Sequence, residues 1–290
     1  MSENTQRPPL VAVVTGASRG AGKGIALALG ASGARVYVTG RSLNEGDADL
    51  PGTIGTTARA IDAAGGQGVA VACDHGDDRQ VRALFERVAQ ESGGLDILVN
   101  NATFLHDQLI EPGPFWAKPL DLARILEVGL RSAYVASWHA APLMVRQGRG
   151  LIAFTSSFGA SCYMHGPAYG AQKAGVDKFA HDMAVDLRPH GVAAVSIWMG
   201  MLATERTQRV IARDPVAYAN FAAAAETPQF TGRLIEALYR DPLLMQRSGL
   251  TLIGAELALD YGMCDAEGRQ PPSHRAMLGA PLVFNPAIVQ

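Results

Sequence analysis

The sequence predicts a single α/β domain built on a doubly wound, Rossmann-like parallel sheet. Short apolar runs rich in valine and isoleucine alternate with amphipathic stretches of helical periodicity. The first apolar run, residues 10–14, leads into a glycine-rich turn and then a helical stretch that reaches Ser32. Strands that are apolar on both faces are typical of parallel sheets, because helices cover both faces of such sheets. The length of 290 residues suits one large domain.

The other elements follow from the same two periodicities. Strands are predicted where apolar and β-branched residues cluster, and helices where apolar residues recur every three or four positions. The first half is predicted to hold strand 35–39, a long loop at 43–56, helix 57–64, strand 68–73, helix 77–92 and strand 95–99. The second half is predicted to hold one long helix at 120–144, strand 150–155, helix 167–187, strand 192–197, helix 231–240 and strand 250–253.

Composition narrows the class of protein. The formal charge is −2 and no basic run occurs, which argues against a nucleic-acid partner. No stretch of 18 apolar residues occurs, so no membrane-spanning helix is predicted. Residues 1–9 are expected to form a flexible N-terminus and not a signal peptide, because they lack an apolar core. The widely spaced Cys73, Cys162 and Cys264 indicate a reducing compartment, so we expect a cytoplasmic protein.

The turn after the first strand has the composition of a phosphate site. From Thr15 to Gly22 its glycines are spaced as G-x-x-x-G-x-G. Glycine permits a tight turn and lets a phosphate approach the backbone, and a helix N-terminus offers free N–H groups and a positive dipole. The order of strand, turn and helix therefore predicts a dinucleotide site, although the spacing differs from G-x-G-x-x-G.

The same letters allow a second interpretation. Gly16-Ala17-Ser18-Arg19-Gly20 also spells G-x-S-x-G, the nucleophile elbow of serine hydrolases. That elbow belongs to a site built on several earlier strands, whereas this turn follows the first strand of the chain. The hydrolase is therefore the weaker hypothesis, and labelling with a fluorophosphonate would separate the two classes.

The end of the second strand bears on the choice of cofactor. An acid at this point binds the ribose hydroxyls of NAD, whereas an arginine suits the 2′-phosphate of NADP. The sequence here is Gly40-Arg41-Ser42, and no Asp or Glu appears before Glu45. We expect Arg41 and Arg19 to hold the 2′-phosphate of NADP(H), with NAD(H) the less favoured cofactor. Two solvated surface arginines are the alternative interpretation.

Tyr169 and Lys173 lie four positions apart in a predicted helix, so their side chains share one face. A phenol has a pKa of about 10, and a neighbouring ammonium lowers it. Such a pair can give a proton to a carbonyl oxygen or take one from an alcohol. This spacing is also common on solvated helices. The catalytic interpretation is therefore favoured only because a dinucleotide turn lies upstream.

Together these motifs resemble the short-chain dehydrogenase/reductase family. The matching residues are Thr15-Gly16, Gly20, Gly22, Asp74, Asn100-Asn101-Ala102, a serine pair, Tyr169 and Lys173, in the family's order over residues 10–205. More narrowly, Trp198-Met199-Gly200, Ala225-Glu226-Thr227 and Asp260-Tyr261-Gly262 resemble the branch that contains dehydrogenase/reductase member one.

The resemblance assigns roles to individual positions. It implies that Tyr169 transfers the proton, that Lys173 lowers its pKa and holds the nicotinamide ribose, and that a serine before Tyr169 positions the carbonyl. Strand register selects Ser157 for that role, whereas the family's usual interval before the tyrosine selects Ser156; we favour Ser157 because loops absorb deletions. The implied cofactor contacts are Gly16, Ser18, Arg19, Gly20, Ala21, Gly22, Arg41, Asp74, Asn101, Ala102, Thr103, Tyr169, Lys173, Gly200 and Thr204.

One position departs from the family pattern. The family usually has an asparagine in the long central helix, where it holds a water of the proton relay. Gly129 occupies that position here, and it has no side chain that can hold a water. The departure puts the rate of proton supply in doubt more than the type of reaction.

Aromatic residues near the predicted cleft indicate the kind of substrate. Phe104, Phe115, Trp116 and Trp198 are expected to form an apolar substrate wall, and residues 204–226 a helical substrate lid that excludes water. The alternative for the loop that carries the first three is a surface loop over the core. His165 is expected to shape the pocket, with an extra acid as the lesser possibility. No metal site is predicted.

The sequence as a whole predicts an NADP(H)-dependent oxidoreductase that interconverts a small apolar carbonyl and a secondary alcohol. The family resemblance extends the range of expected substrates to steroid-like or xenobiotic carbonyls. It also implies a homodimer or homotetramer. A reductase of 3-oxoacyl thioesters and a catalytically weak NADP(H)-binding or sensing protein are the alternatives. Residues 10–267 form the predicted domain, and the proline-containing tail at 268–290 is expected to wrap a neighbour or stay loose.

Overall fold

The computed structural model describes residues 9–289, and within them seven strands form one parallel sheet in the order β3-β2-β1-β4-β5-β6-β7. The expected flexible N-terminus therefore lies outside the described residues, apart from Pro9. The strands are β1 Val11–Val14, β2 Arg35–Gly40, β3 Gln67–Ala72, β4 Ile97–Asn100, β5 Gly150–Ser156, β6 Val192–Trp198 and β7 Thr251–Ile253.

Helices connect the strands and cover both faces of the sheet. They are α1 Gly20–Ala31, α2 Ile54–Ala63, α3 Asp78–Ser92, α4 Ser132–Gln147, α5 Pro167–Leu187, α6 Glu205–Ile211, α7 Ala219–Ala224, α8 Pro228–Arg240, α9 Leu244–Arg247, α10 Gly254–Asp260 and α11 Arg275–Leu278. The doubly wound α/β fold class predicted from the sequence is confirmed.

The order of the strands fixes where a ligand can bind. Neighbours of β1 run parallel to it on both sides, with Val13 opposite Tyr37 in β2 and opposite Leu98 in β4. The chain leaves β1 in one direction to reach β2 and later returns on the other side to build β4. In open parallel sheets, ligands bind in the crevice at the carboxyl ends of the strands where this order reverses.

The core lies in two layers, one on each face of the sheet. Ala12 and Val14 of β1 face one layer, where they meet Ile25, Leu29 and Phe230 from the covering helices. Val13 faces the other layer, which includes Leu84 of α3, Ala140 of α4 and Val176 of α5. Each fully buried large apolar side chain contributes about 1.5–3 kcal/mol. These layers hold the carboxyl edge of the sheet in a fixed shape.

Helix α2 begins before the sequence predicted. Thr53 caps it, and its side chain and that of Thr56 each bond to the other's backbone N–H at 3.0 Å. This reciprocal capping box satisfies free donors of the first turn and starts the helix at Ile54. The predicted loop at 43–56 is therefore too long by its last three residues.

The predicted single helix at 120–144 is wrong. Residues Leu120–Ala123 form a 3₁₀ turn, and the backbone between Leu126 and Arg131 breaks at Val128 and Gly129 before α4 begins. Gly129 has φ +147° and ψ −44°, a conformation that favours glycine over residues with a side chain. The break turns the backbone of residues 128 and 129 toward the carboxyl edge of the sheet.

The structure also describes the predicted lid and the tail. The lid, residues 204–226, holds the two short helices α6 and α7, and the segment between them contains Pro215. The tail folds back on its own chain: Ser161 Oγ donates to Leu278 O at 2.9 Å, and the Phe284 ring lies 4.8 Å from that of His181. Across residues 9–289, no helix combines the length and the hydropathy needed to cross a membrane.

Candidate active site

The glycine turn after β1 is tied to the end of β4. Thr15 Oγ1 accepts hydrogen bonds from the N–H groups of Asn101 and Ala102, each at 2.9 Å. Asn101 Nδ2 donates in return to Thr15 O at 2.9 Å and to Gly16 O at 3.1 Å. A Cβ at Gly16 would lie 2.8 Å from Ala102 Cα, so this packing requires glycine. The two strand ends therefore form one rigid floor.

The N-terminus of α1 lies beside this floor and already binds a carboxylate. Gly20 N–H donates to Glu205 Oε2 at 3.0 Å. Carboxylates and phosphates favour the same place on a helix, because both are anions and the N–H groups there are free. A Cβ at Gly22 would lie 2.3 Å from Gly16 O, so the turn also closes onto the helix through glycine. This donor set, with Ala21 in the first turn, fits a dinucleotide pyrophosphate.

Ser18 lies in the wrong setting for a nucleophile elbow. The residue is only 7% exposed, and it packs against the backbone of Gly40 and Gly52. An elbow serine must present its hydroxyl at the surface of the sheet. The hydrolase interpretation therefore has no support in the structure.

The two arginines expected at the 2′-phosphate have different surroundings. Arg19 donates to Ser42 Oγ at 2.9 Å and to Gly52 O at 2.6 Å, so its guanidinium also fastens the loop between β2 and α2. Arg41 is exposed at the end of β2, and its NH1 lies 3.8 Å from Asp74 Oδ2. Asp74 follows β3 and accepts the Gly76 N–H at 2.9 Å. All three side chains lie at the carboxyl edge of neighbouring strands.

Ser157, Tyr169 and Lys173 come together at the end of β5. Ser157 Oγ lies 2.9 Å from Tyr169 Oη, whereas Ser156 Oγ turns away and donates to Lys173 O at 3.3 Å. This geometry agrees with the strand register that selects Ser157. Lys173 Nζ lies 5.4 Å from the Tyr169 ring centroid and donates to Thr155 O at 3.2 Å.

Burial controls the charge states of this group. It lowers the pKa of Lys173 from 10.5 to about 8, and the nearby Asp177 carboxylate opposes part of that fall. Burial also raises the pKa of Asp177, although hydrogen bonds from Ser196, Ser156 and Trp198 oppose the rise. The lysine is thus poised to change charge in a range where enzymes operate.

The pKa of Tyr169 moves in the direction opposite to the one expected from the sequence. Burial raises it above 10, and the hydrogen bond to Ser157 offsets only part of the rise. The net pKa is therefore raised and not lowered as the sequence predicted, because desolvation of the phenolate is the largest influence on it. A protonated phenol at neutral pH suits a group that donates a proton.

The open space beside Tyr169 is a cleft of about 120 Å³. Its lining includes Phe115, Lys118, Tyr163 and His165. The His165 ring lies 5.0 Å from the Tyr169 ring and meets it edge to face. Burial lowers the pKa of His165, and the nearby Lys118 charge lowers it further, so this imidazole is mainly neutral at pH 7.

The expected aromatic wall is present only in part. Phe115 and Trp116 are 61% and 77% exposed and pack edge to face with centroids 5.3 Å apart. Phe104 is half-buried beneath the Arg124 guanidinium, which lies 4.4 Å from its ring centroid. Trp198 is not a wall residue: it is 1% exposed, and its Nε1 donates to Asp177 Oδ2 at 2.8 Å.

Comparison with known proteins agrees with this geometry. The short chain dehydrogenase family matches residues 10–214. The chain belongs to this family. Its enzymes are oxidoreductases that use nicotinamide cofactors on small-molecule substrates, so the dinucleotide turn and the Ser-Tyr-Lys cluster occur in a setting known for that chemistry.

Relatives within the short-chain dehydrogenases cover most of the chain. Human dehydrogenase/reductase SDR family member 1 is 42% identical over 270 residues, which are 89% of this chain and 84% of that protein. The 3-oxoacyl-[acyl-carrier-protein] reductase of Synechocystis is 30% identical and covers 83% of this chain and 93% of its own. A short chain dehydrogenase of Mycobacterium thermoresistibile is similar in structure, with a TM-score of 0.74, 27% identity and 89% of both chains covered.

The departure of this short-chain dehydrogenase at Gly129 has a defined environment. A Cβ at residue 129 would lie 3.0 Å from Thr103 Oγ1, so a side chain here would meet the loop that follows β4. Gln172 Nε2 donates to Gly129 O at 3.0 Å. Thr103 Oγ1 and Gln172 Oε1 are both buried without a partner among the described residues. Polar groups surround the position even though residue 129 has no side chain.

Sequence reasoning missed several side chains of this site. Four side chains reach the site through tertiary packing, which no local sequence motif predicts. They are Gln172, Asp177, Glu205 and Lys118. His75, which follows Asp74, is buried against Thr39 Oγ1 at 2.7 Å, and burial lowers its pKa to about 4. A signal existed only for Gln172 and Asp177, which share the helix of Tyr169 and Lys173. In the part of the chain that is described, no three His, Cys, Asp or Glu side chains are grouped to hold a metal.

Proposed function

We propose that the protein is an NADP(H)-dependent oxidoreductase that interconverts a carbonyl and a secondary alcohol on a small apolar substrate. The observation that carries the proposal is the 2.9 Å contact between Ser157 Oγ and Tyr169 Oη, with Lys173 one helical turn away. Steroid-like and xenobiotic ketones or aldehydes are the proposed substrates, because aromatic residues flank this cleft.

The residues divide the work in the following way. The reduced nicotinamide, when bound, supplies the hydride that adds to the carbonyl carbon. Ser157 donates a hydrogen bond that holds the carbonyl oxygen against Tyr169. Tyr169 Oη then gives its proton to that oxygen, so the product is a neutral alcohol. Lys173 favours the phenolate left behind, because its positive charge lies on the same side of the helix.

The proposed cofactor site extends from the glycine turn to the end of the sheet. The pyrophosphate would be held by the glycine turn and the start of α1, at Gly16, Ser18, Gly20, Ala21 and Gly22. Asp74 would bind the adenine. Asn101, Ala102 and Thr103 would line the floor, and Lys173 with Tyr169 the nicotinamide ribose. Gly200 and Thr204 would lie at the nicotinamide ring.

The preference for NADP(H) rests on Arg41 and Arg19 at the adenine end. A carboxylate just after β2 would repel a 2′-phosphate, and in this chain that position is an arginine. Arg41→Ala should weaken NADPH binding about tenfold or more and leave NADH binding within about threefold. Equal losses for both cofactors would contradict a contact with the 2′-phosphate. Three free cysteines fit the cytoplasmic location that we propose.

The substrate class is tested by NADPH oxidation at neutral pH. A panel of ketones, aldehydes, quinones, steroids and one 3-oxoacyl thioester covers the candidates. We expect the highest kcat/KM for an apolar ketone or aldehyde. A clear preference for the thioester would favour a function like that in the name of the Synechocystis relative. Tight NADPH binding without turnover of any carbonyl, or of alcohols in reverse, would favour a sensing protein.

A further inference from the structure

The buried carboxyl group of Glu226 has no part in the chemistry proposed above. Glu226 is 2% exposed at the end of the lid, and its Oε1 accepts the Gly200 N–H at 3.1 Å. Its other oxygen, Oε2, is buried and has no hydrogen-bond partner among residues 9–289. An ionised carboxylate is rarely buried in this way, because the loss of hydration is not repaid.

The neighbouring carboxyl group of Asp265, unlike that of Glu226, has hydrogen-bond donors at both of its oxygens. Asp265 accepts the Thr227 N–H at 2.7 Å and bonds with Arg233 at 3.0 Å and Arg269 at 3.2 Å. Burial raises the pKa of Asp265, but hydrogen bonds from Thr227, the Ala266 N–H and Arg233 hold it below its ordinary value. Asp265 is thus the ionised member of the pair, and it already uses both arginines.

Glu226 is the neutral member of the pair at mildly acidic pH. Burial raises its pKa from 4.5 to about 7 against the bond from the Gly200 N–H. The Asp265 charge raises it further, and the Arg269 charge opposes. Two carboxyl groups whose surroundings separate their pKa values in this way often have different roles.

The backbone around Glu226 links the lid to the catalytic edge of the sheet. Glu226 N–H donates to Met201 O at 2.7 Å, and Ala203 N–H donates to Glu226 O at 2.8 Å. Met199 N–H donates to Ser156 O at 3.1 Å, so the segment that Glu226 binds follows directly from the strand pair beside Ser157. A Cβ at Gly200 would lie 2.5 Å from Glu226 Oε1, so the carboxyl group packs against the bare backbone. We call residues 199–203 and 225–227 the lid base.

We propose that Glu226 is a positioning residue whose neutral carboxyl group fastens the lid base to the sheet edge at Gly200. Loss of its proton places a second negative charge beside Asp265, where both arginines are already engaged. The buried anion then draws water into the lid base and loosens the segment that follows β6. The link to cofactor binding rests on the proposed function, because Gly200 is assigned to the nicotinamide end there.

The direction of the pH dependence follows from the pKa of Glu226. Its value in the folded lid base lies above the ordinary value of 4.5, so closure favours the protonated form. The stabilisation is fully present below the ordinary value and is lost as the pH rises through about 7. The lid base should therefore be tight at pH 6 and looser at pH 8.5.

The test compares the wild type with Glu226→Gln, which keeps an acceptor for the Gly200 N–H and cannot ionise. Glu86→Gln, on the exposed face of α3, is the matched control. Hydrogen exchange of the amides at 200–203 is measured in the full chain without cofactor, at pH 6 and 8.5 and corrected for intrinsic rates. We expect wild-type protection to fall about tenfold between these pH values and that of Glu226→Gln to stay within about twofold.

The affinity for NADPH, measured by fluorescence over the same pH range, is the second readout. It should fall about fivefold more in the wild type and in Glu86→Gln than in Glu226→Gln. Titration of the cofactor and of Lys173 is common to all variants and cancels in the comparison. The same pH dependence of exchange in the wild type and in Glu226→Gln would overturn the inference. If no variant bound NADPH, the proposed function would fail, and the exchange data would still decide the role of Glu226.

Discussion

At the scale of single residues, the charge of Lys173 sets the pH range of the proposed reaction. Its pKa of about 8 means that the ammonium loses its charge above that pH, and reduction should slow there. The Asp177 carboxylate raises this pKa, so Asp177→Asn should move the alkaline fall in kcat to lower pH by about one unit. Asp182→Asn is the control, because Asp182 is exposed one turn farther along and pairs with Lys178. Identical pH profiles for Asp177→Asn and the wild type would contradict this assignment.

Gly129 provides a second test at the residue scale. Gly129→Ala should lower the free energy of unfolding by about 2 kcal/mol or more, because its positive φ is strained for alanine and its Cβ would meet Thr103 Oγ1. Gly148→Ala is the matched control: φ is +68° and nothing lies within 4 Å of its Cβ, so about 1 kcal/mol is expected. Urea denaturation measures both. Equal losses would show that the contact with Thr103 has no effect.

The residue scale also shows why part of the site was not predictable. Ser157, Tyr169 and Lys173 follow from local spacing on one strand and one helix, and the structure places them together. The burial of Trp198 depends on Asp177, which lies on a different element 21 positions away. A Trp after a strand looks the same in the sequence whether it lines a cleft or packs in the core. The raised pKa of Tyr169 likewise depends on burial that no motif reports.

At the scale of elements, the contact between the lid and α1 should compete with the cofactor. Glu205 Oε2 bonds the Gly20 N–H where a phosphate is expected, so the carboxylate must leave before the phosphate binds. Glu205→Gln should therefore bind NADPH about threefold to tenfold more tightly, because it removes a competing anion. Glu236→Gln, on α8, is the control and should leave the affinity unchanged. Weaker binding by Glu205→Gln would instead indicate that Glu205 supports the cofactor.

The bounds of a helix were predictable where residues that start or end helices mark them in the sequence. Helix α5 was predicted to the residue because Pro167 marks its start and Pro189 with Gly191 follow its end. The break at Gly129 was missed because one glycine within a periodic apolar stripe is compatible with a continuous helix. Its true conformation depends on contacts with Thr103 and Gln172, which come from distant parts of the chain.

At the scale of the whole molecule, exposed aromatic side chains on α4 favour the homodimer or homotetramer predicted from the sequence. Tyr134 and Trp138 lie on the outer face of this helix, and Trp138 is 63% exposed. Large exposed apolar groups on a helix face often mark an interface. The wild type should sediment as a dimer or tetramer, and Trp138→Arg should shift it toward the monomer. Val216→Arg, in the lid, should leave the state unchanged; a monomeric wild type would contradict the proposal.

The sheet itself was the most predictable feature of the molecule. All seven of its strands begin and end within two residues of their predicted bounds, because buried parallel strands have a strong apolar signal. The tail was not predictable, since its contacts with Ser161 and His181 depend on side chains more than a hundred positions away. The choice between NAD(H) and NADP(H) depends on the side-chain geometry around Arg19 and Arg41, which a sequence motif does not describe.

The central claim is that Tyr169 supplies the proton for carbonyl reduction, and Tyr169→Phe tests it most directly. The measurement is single-turnover NADPH oxidation with the best ketone of the panel, alongside the Kd of NADPH from fluorescence. Removing the hydroxyl should lower the rate by about a hundredfold to ten-thousandfold and leave the Kd within about threefold. A variant that reduces the ketone within about threefold of the wild-type rate would contradict the role of Tyr169.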